Sequence, residues 1–468
     1  MSSRRAALSA SVGPSERRRE ERHAYRRRRP KQSKPTRRRR QTSDGRIEFP
    51  TEKFYATCHP GLEDAAASEL RELEWAGVHS VAQGKSGVSF ESSDATRTRY
   101  AANLALSGCI RVLELIAEGE LDVGGRTRAG DTLYEFIRRI DWSKYILRGS
   151  TFKVKAQVWD SEITSGLLAM KRCRDAICDT LRDDRGWRPE DPMDSMPDVP
   201  LQVVLYRDYV QVYLDTSGDS LHKRGYRQVM HKASLNESAA AGLLNIALSG
   251  TAGAMDPTRP TCIADPMCGS GTFLIEAALK LSKTPPGLFR ERWPFFNWDW
   301  NFDEDAFESV VHRAEDGIRD LAEGGGVTLV GNDVHHGALA LARADAAAAG
   351  FSRVIHFRGG PCEDWRGLER QPDLVVTNPP WGQRLMSSSS ADAGLLDDSD
   401  FVERSGLRAS WMELGSFMKR ECGGANAFVL SGSRACTQFL RMSANRKHVI
   451  TIGGVDCRWL HYKIFPKK

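Results

Sequence analysis

The sequence predicts an α/β chain in which a doubly wound, Rossmann-like domain fills the C-terminal half and a smaller α+β region precedes it. Three stretches carry that prediction. Residues 262–272, CIADPMCGSGT, read as an apolar strand running through a glycine turn straight into a helix. Residues 327–333, VTLVGND, read as a second buried strand ending in an acid, followed by an alanine-rich helix and a turn at Gly350. Residues 373–381, DLVVTNPPW, read as a third buried strand that enters Asn-Pro-Pro-Trp directly. Buried strands alternating with helices signal a parallel sheet covered on both faces, and such sheets bind ligands beyond the carboxyl ends of their strands.

The first stretch defines a cofactor end. Leu274, Ala277, Ala278 and Leu281 recur at the spacing of a buried helical face, and Gly269 and Gly271 let the backbone turn sharply and approach a ligand closely. The third glycine of a dinucleotide fingerprint is missing, while Asp265 stands just ahead of the G-x-G. An acid there suits a cationic ligand better than a pyrophosphate, and S-adenosyl-L-methionine, with its ammonium and sulfonium, fits. Asp333, ending the second strand, is placed to accept both ribose hydroxyls of an adenosine.

The third stretch suggests what receives the methyl group. An exocyclic amine on a nucleobase is a poor nucleophile, because its lone pair is delocalised into the ring, so it must be aimed. The Asn378 side-chain oxygen and the Pro379 carbonyl can both accept hydrogen bonds from such an amine, and Pro379 with Pro380 fixes the turn that directs them. Trp381 offers a face for stacking a flipped or unpaired base. The sulfonium is already an activated methyl donor, so no metal is required. The tetrad does not separate guanine N2 from adenine N6.

Length and charge bound the rest. A chain of 468 residues implies two to three domains. The net charge of +6 conceals an asymmetry: residues 1–46 hold 17 Lys or Arg against four acids, a local +13, which leaves −7 for the remainder. Residues 1–46 therefore read as a disordered basic arm. Organelle targeting, for example to a chloroplast, is the favoured expectation, with a nuclear signal or a cytoplasmic RNA-binding tail as alternatives. Ten scattered cysteines without a C-x-x-C pair suit reduced thiols rather than a disulfide framework or zinc site. No apolar run approaches a membrane span, and nothing in the sequence speaks to oligomeric state.

Taken in order, residues 47–130 predict a small α+β domain. It comprises the strand KFYATC, a turn at His59-Pro60-Gly61, a helix from Leu62 to about Trp75, a strand over 87–90, a helix through Tyr100 and Leu104, and a strand near 110–117. Residues 131–230 predict a second module: a helix over 131–140, the strand FKVKAQV, a helix through Met170 and Ile177, and a hairpin turning at Arg207-Asp208. Lys155, Arg172 and the run LHKRGYR, with Lys223, Arg224 and Arg227, are candidate RNA contacts, a solvated face being the alternative for the first two. Residues 231–468 form the Rossmann-like domain. Its aromatic insert, PPGLFRERWPFFNWDWNF, places Trp293, Trp298 and Trp300 either over the active-site mouth or, as we favour, packed against a sheet. Residues 387–400, rich in Ser and Asp, read as a mobile loop. The strand AFVLSG, a helix near 434–442 and a strand pair around HVITIGG and RWLHYKI close the chain.

Six separated motifs give the chain a family resemblance: YATCHPGLEDAAASEL, LYEFIRRIDW, LDTSGDSLHKRGYR, DPMCGSGTFLIEAA, PPGLFRERWPFFNW and NPPWGQRL. On these, residues 53–468 resemble the RlmL-type large-subunit rRNA guanine-N2 methyltransferases, which join a ferredoxin-like and THUMP RNA-binding region to a class I S-adenosylmethionine-dependent methyltransferase domain. The resemblance implies that Asp265, Cys268, Gly269, Ser270, Gly271 and Thr272 line the methionine end of the cofactor and that Asp333 holds the ribose. It further implies that Asn378, Pro379, Pro380 and Trp381 present guanine N2, with rRNA as the partner and tRNA as the alternative. Three departures stand out. Trp381 replaces the usual Tyr. FRGGPCEDW lacks the usual acid for the adenine amino group, so that contact falls to Pro361, Cys362 or Glu363. The second methyltransferase domain of some bacterial relatives does not follow the first, so one modification is expected.

Overall fold

The computed structural model describes residues 47–49, 52–123, 128–189, 196–227, 229, 234–251, 261–323, 326–381 and 406–466. The basic arm, residues 1–46, and the segment 387–400 lie outside the described residues.

The first half is organised on one sheet. Its strands are β1 (Ile47–Glu48), β2 (Lys53–Cys58), β3 (Val78–Gly84), β4 (Gly87–Ser92), β5 (Cys109–Glu120), β6 (Phe152–Trp159), β7 (Val199–Tyr206) and β8 (Tyr209–Asp215). Four helices accompany them: α1 (Glu63–Arg71), α2 (Ala95–Ala105), α3 (Ala129–Arg138) and α4 (Gly166–Arg185). The order is β3-β4-β2-β5-β8-β7-β6, with β1 on β5. The 12-residue β5 lies between β2 and β8, so the two modules read from the sequence share a continuous sheet. Arg207 and Asp208 have φ of 50° and 60°, the left-handed pair that a two-residue hairpin turn requires.

The second half holds α5 (Glu237–Thr251), β9 (Thr261–Asp265), α6 (Thr272–Leu281), α7 (Glu304–Asp316), β10 (Val327–Asp333), α8 (His336–Ala348), β11 (Ile355–Gly359), β12 (Leu374–Thr377), α9 (Leu407–Glu421), β13 (Asn426–Ser431), the short α10 (Arg434–Thr437), β14 (Arg446–Ile452) and β15 (Val455–Lys463). The seven strands order as β11-β10-β9-β12-β13-β15-β14. β9 to β13 run parallel, and β15 inserts antiparallel between β13 and β14. The order reverses at β9, which has β10 on one side and β12 on the other. That reversal opens the crevice where such sheets bind ligands.

The aromatic insert joins the halves. Trp293, Phe295 and Trp298 are at most 1% exposed and belong to the core of the first sheet, not the second. The Trp298 Nε1–H donates to the Asp198 carbonyl at 2.9 Å, and the Asp303 amide donates to the Tyr100 hydroxyl at 2.9 Å. A Cβ on Gly287 would overlap the backbone of Leu104, so this segment docks without room for a side chain. Packing against a sheet, rather than covering the active-site mouth, is thus the role of Trp293 and Trp298, and Trp300 stacks on Trp298 with ring centroids 5.3 Å apart.

Candidate active site

Strands β9, β10 and β12 bring the three sequence stretches to one edge. Asp265, at the end of β9, is 2% exposed and accepts from the Met267 amide at 3.2 Å. The chain then turns at Gly269 (φ 53°) and Gly271 (φ 74°) before entering α6. A Cβ on Gly271 would press to 3.1 Å on the Phe357 ring and 3.2 Å on Ala342, whereas one on Gly269 would meet nothing within 4 Å. Gly271 is therefore required by packing as well as by φ, while Gly269 faces open space, as a turn that admits a ligand must.

Asp333 holds that turn from the neighbouring strand. One carboxylate oxygen accepts from the Gly269 amide at 2.8 Å and the other from the His335 amide at 2.8 Å. Each oxygen keeps a second acceptor site, so ribose hydroxyls and backbone amides are compatible. Burial, with the Asp333 charge nearby, pushes the Asp265 carboxyl up to about 7. Among the described residues neither carboxylate forms an ion pair. A buried carboxylate without a counter-charge is stabilised by a cationic ligand, and this is the observation on which a sulfonium- and ammonium-bearing cofactor fits the crevice.

The other residues assigned to the cofactor end are placed as follows. The Cys268 amide donates to the Asn332 carbonyl at 2.9 Å, and its thiol is buried. Ser270 Oγ lies 3.0 Å from Ser234 Oγ, and Thr272 Oγ1 accepts from the Arg227 guanidinium at 2.6 Å. Cys362 is 3% exposed and its thiol is pushed up to about 12 by burial. The adenine contact expected there is corrected for the side chain: the thiol sits in the core cluster with Trp365 and Cys422.

The Asn-Pro-Pro-Trp turn leaves β12 beside these groups. Asn378 is half-buried, and its Oδ1 accepts the Trp381 indole N–H at 2.9 Å. The Pro380 carbonyl accepts the Trp411 Nε1–H from α9 at 2.7 Å. Trp381 is 6% exposed, and a Cβ on Gly432 would overlap its ring. The expectation that Trp381 offers an open stacking face is thus corrected. Its indole is packed on the backbone after β13 and orients the Asn378 amide instead, which leaves the second acceptor site of Oδ1 for an incoming amine.

Two of the five candidate RNA contacts are corrected as well. Arg224 is 2% exposed; it pairs with Glu276 at 3.2 Å and donates to the carbonyls of Leu221 and Ser107. The Arg227 side chain is 3% exposed, with Glu237 at 3.0 Å and Asp345 at 3.5 Å. Both bind the protein to itself. Lys223 is largely exposed and pairs with Asp219 at 2.9 Å, Arg172 pairs with Asp131 over the Tyr134 ring, and Lys155 lies on the exposed face of β6. The sequence reading missed Asn332, whose amide donates to the carbonyls of Pro266 (3.3 Å) and Gly360 (3.0 Å) and ties the loops after β9 and β11 together. Only its place beside Asp333 could have flagged it.

Comparison with known proteins gives this geometry a family. Residues 53–113 match the RlmL ferredoxin-like domain, 128–215 the THUMP domain, and 224–396 the RMKL-like methyltransferase domain. The chain therefore carries an RlmL-type ferredoxin-like domain and a THUMP domain ahead of an RMKL-like methyltransferase domain. A relative from Syntrophotalea carbinolica named "Ribosomal RNA large subunit methyltransferase K/L" is 32% identical over 425 residues, 89% of this chain and 54% of its own length. A Synechocystis protein named "Putative RNA methyltransferase slr0064" is 28% identical over 89% of this chain and 97% of its own. The chain spans about half the length of the K/L relatives it matches. The crystal structure described as "SMU.472, a putative methyltransferase complexed with SAH" shares the fold, with TM-score 0.70, 22% identity and coverage of 89% of this chain and 98% of that one. The cofactor of a methyltransferase domain of this class is S-adenosyl-L-methionine, in agreement with the ligand that the Asp265 environment selects. Among the described residues no group of His, Cys, Asp and Glu could hold a metal ion, and no helix is long and apolar enough to cross a membrane.

Proposed function

We propose that this chain is an S-adenosyl-L-methionine-dependent RNA methyltransferase that methylates the exocyclic N2 amine of a guanine in large-subunit rRNA. The observation that carries the reading is the placement of the Asn378 amide, aimed by Trp381, at the carboxyl end of β12, next to the Asp265 and Asp333 carboxylates at the ends of β9 and β10. A nucleobase amine entering there donates one N–H to Asn378 Oδ1 and another to the Pro379 carbonyl, which turns its nitrogen lone pair out of the ring plane. Asp265 would hold the ammonium and Asp333 the ribose of the cofactor, which when bound would supply an electrophilic methyl group. Such positioning can supply roughly 7–11 kcal/mol of a barrier in well-oriented systems. The names of the K/L relatives favour rRNA, and the NPPW chemistry alone leaves adenine N6 and a tRNA guanine as competitors.

The deciding experiment offers labelled cofactor with separate pools of deproteinised rRNA and tRNA and identifies the product nucleoside by mass and retention. N2-methylguanosine in the rRNA pool is the expected result. Label only in tRNA moves the enzyme to tRNA, and N6-methyladenosine overturns the choice of base. Absence of cofactor binding, with no transfer to either pool, favours a non-catalytic RNA-binding assembly factor with a vestigial cofactor site.

A further inference from the structure

The Trp381 indole rests on Gly432, and from that contact a second concavity opens. Its walls are Ser433, Arg434 and Thr437, from the turn after β13 and α10, and Lys447, Asp456 and Arg458, from the β14–β15 hairpin; its volume is about 490 Å³. Strand register puts the hairpin cations on one face. Ser431 pairs with Arg458 across β13 and β15, and Leu460, two residues on, pairs with Lys447 across β15 and β14. Residues two apart on a strand and those directly opposite share a face, so Arg458 and Lys447 project into the same space.

The charge there runs against that of the molecule. Residues 47–468 carry a net −7, yet three cations and one carboxylate surround this pocket. The carboxylate, Asp456, is engaged by the Thr451 hydroxyl at 2.8 Å. Among the described residues Arg434, Lys447 and Arg458 have no carboxylate partner; Arg458 makes a single 3.1 Å hydrogen bond to the Cys457 carbonyl. The hydroxyls of Ser433 and Thr437 are taken up locally, by the Cys436 amide and the Arg434 carbonyl. What remains is a cavity of net positive charge, three cations against the single Asp456 carboxylate, that shares Gly432 with the turn carrying Asn378.

We infer that this pocket holds the backbone phosphate next to the nucleotide whose base is presented to Asn378. The inference rests on the RNA-methyltransferase reading. A base reaches such a crevice only when extruded or unpaired, and its own phosphodiester must then run close beside the catalytic turn. Phosphate contacts fix the register of a nucleic acid without reading its sequence, and three unpaired cations supply the fork and point-charge donors that phosphate oxygens accept. The exposed Val449 and the wall residue Leu460 give the adjoining sugar an apolar surface.

The test is steady-state methyl transfer to unmodified rRNA transcripts, over a range of salt, by the full chain and by the triple variant Arg434→Gln, Lys447→Gln, Arg458→Gln. The three side chains sit at the surface, so the melting temperature and cofactor Kd should not change. KM for RNA should rise at least tenfold, kcat should change much less, and the dependence of log KM on log salt should become shallower by about 0.7 to 1.4, the release expected for one or two phosphates on single-stranded RNA. Arg458→Lys, which keeps the charge, should retain most of the affinity that Arg458→Gln loses. A triple variant with the parent KM and salt slope would overturn the pocket assignment while leaving the methyltransferase reading intact. A parent chain that transfers no methyl group to any RNA would overturn both.

Discussion

Replacing Arg224 by Met tests whether the linker before the catalytic domain is a structural staple or an RNA contact. Arg224 and Glu276 are each about 1% exposed in their side chains. The guanidinium reaches Glu276 through Nε at 3.3 Å and Nη2 at 3.2 Å, and donates to Leu221 O at 2.9 Å. Met keeps the length and apolar stem but strands the Glu276 carboxylate, whose remaining donor is the Tyr226 hydroxyl at 3.0 Å. Removing one partner of a buried pair costs about 3–5 kcal/mol, because the other charge is left uncompensated. At about 2–4 °C per kcal/mol the variant should melt roughly 6–20 °C below the parent. The double variant Arg224→Met, Glu276→Leu should recover most of that loss, since an apolar replacement of both partners is often nearly neutral; recovery stays incomplete because Ser107, Leu221 and Tyr226 lose partners. Differential scanning calorimetry reads the effect, and RNA affinity well below the transition should be unchanged. A single variant that melts with the parent but loses RNA affinity would refute the staple and restore Arg224 as a contact.

Three further outcomes follow from the site. Asn378→Ala should cut kcat by about two or more orders of magnitude while leaving cofactor Kd within twofold, because it removes an acceptor used at the reacting amine; single-turnover rates with titrated cofactor check it. Trp381→Phe keeps a ring on Gly432 but deletes the N–H to Asn378, a bond worth about 0.5–1.5 kcal/mol, so kcat should fall roughly 2- to 10-fold with KM for RNA nearly constant. For Asp265, whose folded carboxyl is raised from 3.8 to about 7, the native state binds the extra proton between those values. Its contribution to the stability of the cofactor-free protein is therefore full below pH 4 and is lost as pH rises through about 7, and Asp265→Asn should flatten that part of the denaturation profile. Cofactor affinity should run the other way, tightening between pH 6 and 7.5 as the carboxylate ionises against the ammonium, and calorimetric titration across that range would show it.

Legibility in the sequence follows burial. β9, β10 and β12 are parallel strands covered on both faces, so each reads as an unbroken apolar run with its functional acid or amide at the exit. β3 is invisible by the same rule: in VHSVAQG only Val78 is buried, and a strand with one buried residue in seven carries no alternation. Arg224 and Arg227 were misread because arginines in a short basic run, LHKRGYR, look solvated in one dimension. Their partners, Glu276, Glu237 and Asp345, lie 10 to 118 residues away, and only the folded chain brings the charges together. The Trp381 hydrogen bond to Asn378 spans three residues and was local enough to anticipate, but the choice between presenting a ring face and donating an N–H is settled by Gly432, 51 residues on.

The two buried arginines also bear on how RNA binding and chemistry are joined. Three residues apart on the linker, they grip the same face of one helix a turn apart, since Thr272 and Glu276 are four residues apart on α6. Arg224 ties Glu276 on α6 to the Ser107 carbonyl, between α2 and β5 of the first half, while Arg227 ties Thr272, at the start of α6, to Glu237 on α5 and Asp345 on α8. The turn that carries Gly269 and Gly271 opens into α6, so the linker supports the cofactor loop directly. From the opposite direction the aromatic insert leaves α6 and buries Trp293, Phe295 and Trp298 in the core of the first sheet. A hinge between the halves would have to break a buried ion pair and expose three large aromatics, so on the proposed reading RNA held by the first half would meet a crevice whose geometry is already set. Freedom to admit a base must then come from the rim, where Gly269 faces open space, rather than from movement of one half against the other.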